Sequence, residues 1–222
     1  MREIQVEQGS DAWLAARLGM PTASNFDKIL TPGGKLSASS RKHAFYLAAE
    51  KILNKQIDSI DNLEWVQHGK FFEETAAKNY EFVQDVKIRK CGFITTDNGL
   101  IGASPDRLII GGSGGLEIKC PAPQTQMGYI IDGFKDAYKC QVQGQMWVAE
   151  LDYVDFYAWH PELPPVLQRT VRDDIFIKLL SDALAQFCDD LAEIIRKVRA
   201  SGFFQEHAKL LTAVDDAYSH NL

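Results

Sequence analysis

The chain of 222 residues is 45% hydrophobic and 24% charged, a composition that predicts a soluble globular protein with a sizeable core. Its formal net charge of −6 argues against a protein that coats nucleic acid with its whole surface. An enzyme with a locally basic groove is not excluded, because the field of distant exposed charges fades over about 8 Å at physiological salt. No window is apolar over the length of a membrane span, and the first residues lack the apolar core of a signal peptide. We therefore expect a cytoplasmic protein with no membrane association.

The first part of the chain is predicted to be helical. Apolar residues recur at helical spacing between capping residues and glycines, which predicts four helices and a polar loop: helices over 11–17, 22–30, 39–53 and 64–83, and the loop over 54–62. On the fourth helix Glu73 lies at the edge of the apolar stripe and is followed by Glu74. Either carboxylate could face inward, and we favour Glu73.

The period of the pattern changes to two near residue 86, which predicts strands. The four strands expected are 86–95, 99–108, 116–119 and 153–159. A helix over 134–149 lies between the last two strands, and a long helix over 173–199 precedes a polar tail. Helices first, a central mixed sheet and helices packed on it predict one α/β (α+β) domain over residues 1–222.

A glycine-rich turn separates Asp106 from an alternating segment that contains Glu117 and Lys119. Residues two apart on a strand point the same way, so Glu117 and Lys119 share one face, and Leu116 and Ile118 take the other. Two carboxylates and a lysine in one place suit the binding of Mg²⁺ and the activation of water against a phosphodiester. The alternative is a flexible hairpin tip with a solvated, charge-paired strand face.

The helix after this hairpin carries Tyr138, Gln141 and Gln145 on one side, at positions i, i+3 and i+7. Because the stripe comes soon after the charged strand, its amides could hold an attacking water or a phosphate. The alternative is a polar helix edge that only hydrogen-bonds the sheet.

Five blocks of sequence, in order and at matching spacing, resemble the lambda exonuclease family, also called YqaJ-type viral recombinases or alkaline exonucleases. The blocks are Gln-Gly-Ser-Asp-Ala-Trp with Arg-Leu-Gly and Thr-Ala-Ser (8–24), Gly-Lys-Phe-Phe-Glu (69–73), Ser-Pro-Asp (104–106), Leu-Glu-Ile-Lys-Cys-Pro (116–121) and Tyr-Lys-Cys-Gln-Val-Gln-Gly-Gln-Met-Trp (138–147). The resemblance covers about residues 8–159, and the C-terminal helical segment of about 173–222 carries no motif.

The resemblance implies a restriction-endonuclease-like core of the PD-(D/E)XK superfamily, a central mixed sheet flanked by helices. It implies a 5′-to-3′ exonuclease that digests the 5′-ended strand of linear duplex DNA processively to 5′-mononucleotides and leaves 3′ overhangs. It also implies a ring-shaped homotrimer, and a single-strand annealing protein as the partner in phage-type recombination in the host bacterium.

Two Mg²⁺ ions per active site are implied, with Mn²⁺ as a substitute. Asp106 and Glu117 would bind the first, helped by the backbone carbonyl of Ile118, and Asp106 and Glu73 would bind the second. Three close carboxylates repel one another unless a cation lies between them, and oxygen donors without histidine or thiolate favour Mg²⁺ or Mn²⁺ over zinc.

Further roles follow from the same resemblance. Lys119 would orient or deprotonate the attacking water, and Gln141 would help to position it. Arg17, Ser24 and Ser104 would form the pocket for the 5′-phosphate. A guanidinium with two hydroxyls suits a terminal phosphate, because the guanidinium can bind two oxygens at once.

One departure from the family pattern concerns the loop after the second short helix, where a further arginine can contact DNA. This chain has Gly-Gly-Lys at 33–35 instead, so Lys35 would bind DNA as a point charge, or Arg41 would reach in. Two other functions stay open: a structure-specific endonuclease on the same core, and a non-catalytic scaffold that binds DNA ends.

Overall fold

A computed structural model of the protein describes residues 1–57, 64–134, 136–203 and 207. Within these ranges the helices are α1 (Asp11–Arg17), a 3₁₀ helix (Ala23–Lys28), α2 (Ser40–Leu53), α3 (Glu64–Gln84), α4 (Pro123–Asp132), α5 (Lys139–Val148) and α6 (Asp174–Ala200). The strands are β1 (Arg2–Ile4), β2 (Ile88–Lys90), β3 (Phe93–Thr95), β4 (Gly102–Ala103), β5 (Arg107–Ile109), β6 (Gly114–Lys119), β7 (Tyr153–His160) and β8 (Leu163–Val171). No helix in this part of the chain has the length and apolar character needed to cross a bilayer. Residues 58–62 of the predicted loop, and the predicted tail beyond 203 apart from residue 207, lie outside the described residues.

The larger sheet has the strand order β2-β5-β6-β7-β8, and a smaller antiparallel sheet has the order β1-β3-β4. In the larger sheet β6 and β7 run parallel, whereas the other neighbours are antiparallel, so the predicted mixed sheet is confirmed. The predicted hairpin is the β5–β6 pair, in which Arg107 lies opposite Leu116.

Two strands predicted as continuous are each divided in the structure. The segment 86–95 forms β2 and β3, which belong to different sheets. The segment 99–108 forms β4 and β5, which are separated by Ser104, Pro105 and Asp106. Proline cannot donate to a strand ladder, so the pairing stops there and Asp106 lies just before β5.

The region after the hairpin differs from the prediction of one helix over 134–149. It holds α4, which was not predicted, and α5 begins only at Lys139. Gly133, at a positive φ of 67°, ends α4 by leaving helical geometry. Strands β1 and β8 were also not predicted. Pro164 and Pro165 argue against a strand in the sequence of β8. The strand forms nevertheless, because it lies at the edge of its sheet, where proline is tolerated.

On α6, apolar residues at helical spacing from Ile175 to Val198 predict a stripe that faces the core, and the structure confirms this stripe only in part. Phe187 and Leu191 are buried, whereas Ile175 and Leu179 are 81% and 48% exposed. The buried side chains are Phe176, Ile177, Leu180, Leu184, Phe187 and Leu191. The first half of α6 is apolar on more than one side, so its packing against α2 and α5 decides which side is buried.

Helix α3 is joined to the sheet by a buried polar cluster around Asp155 of β7. Tyr80 Oη donates to Asp155 at 2.6 Å, and the Arg169 guanidinium donates to both carboxylate oxygens at 2.8 Å. These contacts satisfy a fully buried carboxylate and link α3, β7 and β8. Helix α3 is therefore held beside the β5–β6 hairpin.

The segment predicted as a helix over 22–30 is the 3₁₀ helix, and it packs against α5. Phe26 of the 3₁₀ helix is fully buried at this contact. A Cβ atom at Gly144 of α5 would lie 2.4 Å from the Phe26 ring. The close approach therefore requires glycine, and it determines where the 3₁₀ helix lies relative to α5.

We expect Gly144→Ala to destabilise the protein by roughly 1–3 kcal/mol, because a buried ring must move to admit the new methyl group. Gly128→Ala on α4 is the matched control, since a Cβ there would meet nothing within 4 Å. Alanine at that position should raise the free energy of unfolding by roughly 0.5–1 kcal/mol. Urea denaturation measures both, and equal stability of Gly144→Ala and the wild type would contradict the close contact.

Candidate active site

Strand β6 presents Glu117 and Lys119 on one face, as the alternation predicts. Lys119 Nζ donates to Glu117 Oε1 at 2.5 Å. Leu116 and Ile118 point the other way, into a core cluster shared with α3. Glu117 is only 2% exposed, so its charge needs partners in the protein.

Helix α5 supplies two of those partners. Gln141 Nε2 donates to Glu117 Oε1 at 2.6 Å, and Gln145 Nε2 donates to Oε2 at 2.6 Å. Tyr138, from the same stripe, lies with its ring centroid 5.6 Å from Lys119 Nζ. The whole stripe therefore faces the charged strand. Gln145 was not among the predicted site residues, although its helical spacing from Gln141 marks it.

Asp106 lies beside this group. Its Oδ2 accepts a hydrogen bond from the Ile118 backbone N–H at 2.7 Å. Burial, with the nearby carboxylates of Glu117 and Glu73, raises the pKa of Asp106 well above its ordinary value. The structure thus brings together the acids that the sequence places far apart.

The Lys119 side chain is 31% exposed and pairs with Glu117, within the electrostatic influence of Asp106. Burial by itself would lower the pKa of Lys119, but Glu117 and Asp106 outweigh it and raise that pKa above its ordinary value. Lys119 is therefore a charged ammonium at neutral pH in this arrangement.

Glu73 and Glu74 both bind Arg107, a buried residue that sequence reasoning missed. Arg107 Nη1 lies 2.8 Å from Glu73 Oε1, and Nη2 lies 3.1 Å from Glu74 Oε2. Nη1 also donates to the Asp106 carbonyl at 2.8 Å. Glu73 is the less exposed acid, 33% against 56%, and it is near enough to raise the pKa of Asp106. The only sequence signal for Arg107 is its position directly after Asp106.

The oxygen donors of this group suit a hard divalent cation. Among the described residues, no set of three or more acidic, histidine or cysteine side chains forms a preformed metal-binding site. Mg²⁺ does not need one, because it usually binds through one or two carboxylates and keeps several waters. Asp106 and Glu117 could supply those two carboxylates. Glu73 could join them on release from Arg107.

The residues predicted to bind a 5′-phosphate lie on α1, the 3₁₀ helix and the loop before β5. Arg17 Nη2 is 3.2 Å from Thr22 Oγ1 and 3.4 Å from Ser24 Oγ. Its guanidinium stacks 4.2 Å from the Trp13 ring centroid, and Trp13 Nε1 donates to Ser104 Oγ at 2.9 Å. The predicted trio is therefore connected through Trp13, and Thr22 is an additional hydroxyl.

A cleft of about 1320 Å³ is lined by Asp106 and Glu73 of the acidic group and by Arg17 of this cluster. Glu117, Lys119, Ser24 and Ser104 are not among its lining residues. Lys35 and Arg41 are not among its lining residues: Lys35 is exposed in a turn, and the Arg41 guanidinium lies 5.2 Å from the Phe45 ring centroid. The role of Lys35 in binding DNA stays a prediction.

Without divalent ions, we expect Asp106→Asn to stabilise the protein, because neutralisation removes repulsion and the amide oxygen can still accept from Ile118. An acid with a raised folded-state pKa binds more protons folded than unfolded, so its penalty is full above that pKa. The gain should therefore grow as pH rises from the ordinary aspartate value of about 4, and it should be complete above the raised pKa of Asp106.

Asp155→Asn is the matched control, because Asp155 is buried with an arginine and a tyrosine as partners. We expect this change to destabilise the protein by roughly 1.5–3 kcal/mol, the value of hydrogen bonds to a charged group. Thermal and urea unfolding in EDTA measures both variants. Destabilisation of the same size in each would show that Asp106 is not under repulsive strain.

The family model for the YqaJ-like viral recombinase domain matches residues 12–152. An alkaline exonuclease from Laribacter hongkongensis shares 28% identity with a TM-score of 0.78, covering 90% of this chain and 100% of that chain. The same values hold for that enzyme in complex with dAMP. A phage-related exonuclease from Haemophilus somnus 129PT, at 14% identity and a TM-score of 0.67 over 81% of this chain and 96% of that chain, supports the fold alone. Among curated proteins, none matches the chain in sequence.

The fold shared with the Laribacter enzyme confirms the predicted restriction-endonuclease-like core, a mixed sheet flanked by helices. The family model spans more than half of the chain and includes the predicted motifs from α1 to α5. The chain therefore belongs to the YqaJ-like viral recombinase domain family, and the resemblance to lambda exonuclease-type nucleases is confirmed.

Proposed function

We propose that the protein is a Mg²⁺-dependent exonuclease that digests the 5′-ended strand of linear duplex DNA to 5′-mononucleotides. The observation that carries the proposal is the convergence of Asp106, Glu117 and Lys119 beside a cleft that also holds Arg17. A carboxylate pair with a lysine suits phosphodiester hydrolysis, and a guanidinium beside hydroxyls suits a terminal phosphate. The complex of the Laribacter exonuclease with dAMP adds support, because dAMP is a mononucleotide.

Asp106 and Glu117 would hold one Mg²⁺ with the carbonyl of Ile118, and Asp106 and Glu73 would hold a second, with Mn²⁺ as a substitute. When bound, such ions stabilise charge on the phosphate and favour ionisation of water. The raised pKa of Asp106 supports this assignment, because a cation would relieve the repulsion among the carboxylates.

The side chains around Glu117 would orient the reaction. The Lys119 ammonium would offset negative charge that develops on the phosphate, and its raised pKa favours this role over removal of a proton. Gln141 and Gln145 hold both oxygens of Glu117, so the carboxylate cannot rotate freely. An amide of Gln141 would also position the attacking water.

The cluster of Arg17, Thr22, Ser24 and Ser104 would bind the 5′-phosphate of the digested strand. Each cleavage exposes a new 5′-phosphate, so such an anchor would favour stepwise movement in one direction. A ring-shaped homotrimer and a single-strand annealing partner, with a role in phage-type recombination, are proposed from the family resemblance alone.

The primary experiment compares linear duplexes that carry a label on one strand and either a 5′-phosphate or a 5′-hydroxyl, with Mg²⁺ present. Mononucleotides released from the 5′-ended strand, faster with the phosphate, would support the exonuclease. Internal cuts in closed circles would favour a structure-specific endonuclease. Binding to ends without cleavage by Mg²⁺ or Mn²⁺ would favour a non-catalytic recombination scaffold.

We expect Lys119→Ala to lower the cleavage rate at saturating DNA by about 10²-fold or more, the usual cost of a lost electrostatic contact in the transition state. Folding should persist, because the two glutamines still bind Glu117. Lys139→Ala is the matched control, since the Lys139 side chain is similarly exposed at 30% but pairs with Asp173. Single-turnover kinetics measures both variants, and full activity of Lys119→Ala would contradict its role.

We expect Arg17→Ala to slow digestion of 5′-phosphorylated ends more than digestion of 5′-hydroxyl ends, by roughly tenfold or more for a lost charged hydrogen bond. The two substrates differ only at the terminus, so each serves as the control for the other. Initial rates at subsaturating DNA measure the ratio. If both substrates slow equally, Arg17 does not recognise the terminal phosphate.

A further inference from the structure

The guanidinium of Arg107 has more acceptors than a single ion pair supplies. Its Nη1 donates to Glu73 Oε1 and to the Asp106 carbonyl, both at 2.8 Å, and its Nη2 donates to Glu74 Oε2 at 3.1 Å. The Arg107 side chain is only 7% exposed. A buried charge is costly unless it is paired and hydrogen-bonded, so the guanidinium depends on these three acceptors.

The two Nη groups of Arg107 share these acceptors unequally. Within the described part of the chain, Nη1 has two acceptors, Glu73 and the Asp106 carbonyl, whereas Nη2 has only Glu74. If Glu73 left, each Nη group would therefore keep one acceptor, and Glu74 would still balance the charge. If Glu74 were absent, departure of Glu73 would leave the buried guanidinium without a carboxylate.

Glu73 is the member of this group that can change partner. Its side chain is 33% exposed and lines the cleft. Arg107 is held in place, because its strand β5 pairs on both sides, opposite Lys90 of β2 and Leu116 of β6. At equal distance a divalent cation attracts a carboxylate more strongly than a guanidinium does, so an ion entering the cleft could take Glu73 from Arg107.

We propose that Glu73 passes from Arg107 to a divalent cation shared with Asp106, while Glu74 keeps the guanidinium paired. This carboxylate exchange rests on the proposed function and assigns roles to Arg107 and Glu74, which that function does not use. Both are positioning residues: Arg107 offsets the charge of Glu73 before the ion binds, and Glu74 allows its release. The exchange also explains why one buried arginine pairs with two consecutive acids of α3.

The test titrates the full chain with Mn²⁺ in the absence of DNA and measures the free ion by electron paramagnetic resonance. The wild type should bind two Mn²⁺ ions, and Glu73→Gln should bind one. Glu74→Ala should weaken the second ion by about tenfold or more, since release of Glu73 would then leave a buried charge unpaired. The affinity for the first ion should not change. Glu74→Gln keeps an oxygen acceptor for Nη2 and should recover part of the loss.

Glu7→Ala is the matched control, because Glu7 is an exposed acid that lines the same cleft and does not pair with Arg107. It removes the same charge, so it separates the exchange from a general weakening of the negative field. Both Mn²⁺ affinities of Glu7→Ala should stay close to those of the wild type. Thermal unfolding in EDTA checks the fold, and Glu74→Ala should remain folded because Arg107 keeps Glu73 when no ion is present.

Equal Mn²⁺ affinities for the wild type and Glu74→Ala would overturn the exchange, as would equal weakening in Glu74→Ala and Glu7→Ala. A wild type that binds one Mn²⁺, with no change in Glu73→Gln, would also overturn it, because Glu73 would then stay on Arg107. Cleavage of linear duplex by the wild type with Mg²⁺ is measured in parallel. If cleavage occurs while any of these results holds, only the exchange is wrong, whereas a wild type that binds no Mn²⁺ and cuts no DNA overturns both proposals.

Discussion

The buried carboxylate of Glu117 is the constraint on which the site depends. A charge removed from water is costly unless hydrogen bonds replace its hydration, and Glu117 receives them from Lys119, Gln141 and Gln145. The lysine comes from the same strand, but both amides come from α5. Satisfying one carboxylate therefore ties the charged strand of the sheet to a helix at a defined position.

The position of α5 also determines the position of the 3₁₀ helix, which carries residues of the proposed phosphate cluster. Gly144 lies between the two glutamines and allows Phe26 of the 3₁₀ helix to approach the α5 backbone. The same 3₁₀ segment carries Ser24 and, at its start, Thr22, the hydroxyls that contact Arg17. The acidic group and the proposed phosphate cluster are thus connected through one helix, so displacement of α5 would alter both.

Asp155 and Asp106 have opposite electrostatic surroundings, and of the two only Asp155 is fully buried. Asp155 is neutralised by Arg169 and stabilises the fold, whereas Asp106 lies among other acids and has a raised pKa. Retained repulsion of this kind is typical of sites that bind a cation or perform acid-base chemistry. Arg107 offsets part of it by pairing with the acids of α3, and it also connects Glu73 to the backbone of Asp106.

The sequence by itself determined what depends on local geometry. Alternation along a strand placed Glu117 and Lys119 on one face, helical spacing placed the glutamines on one stripe, and ordered motifs indicated the family. Only the tertiary structure decided the pairing of Arg107 with two acids of α3, the division of two strands, and the position of Arg17 in the same cleft as Asp106. Side-chain direction within an element follows from backbone period, but partners distant in sequence are selected by packing between elements, which no local pattern records.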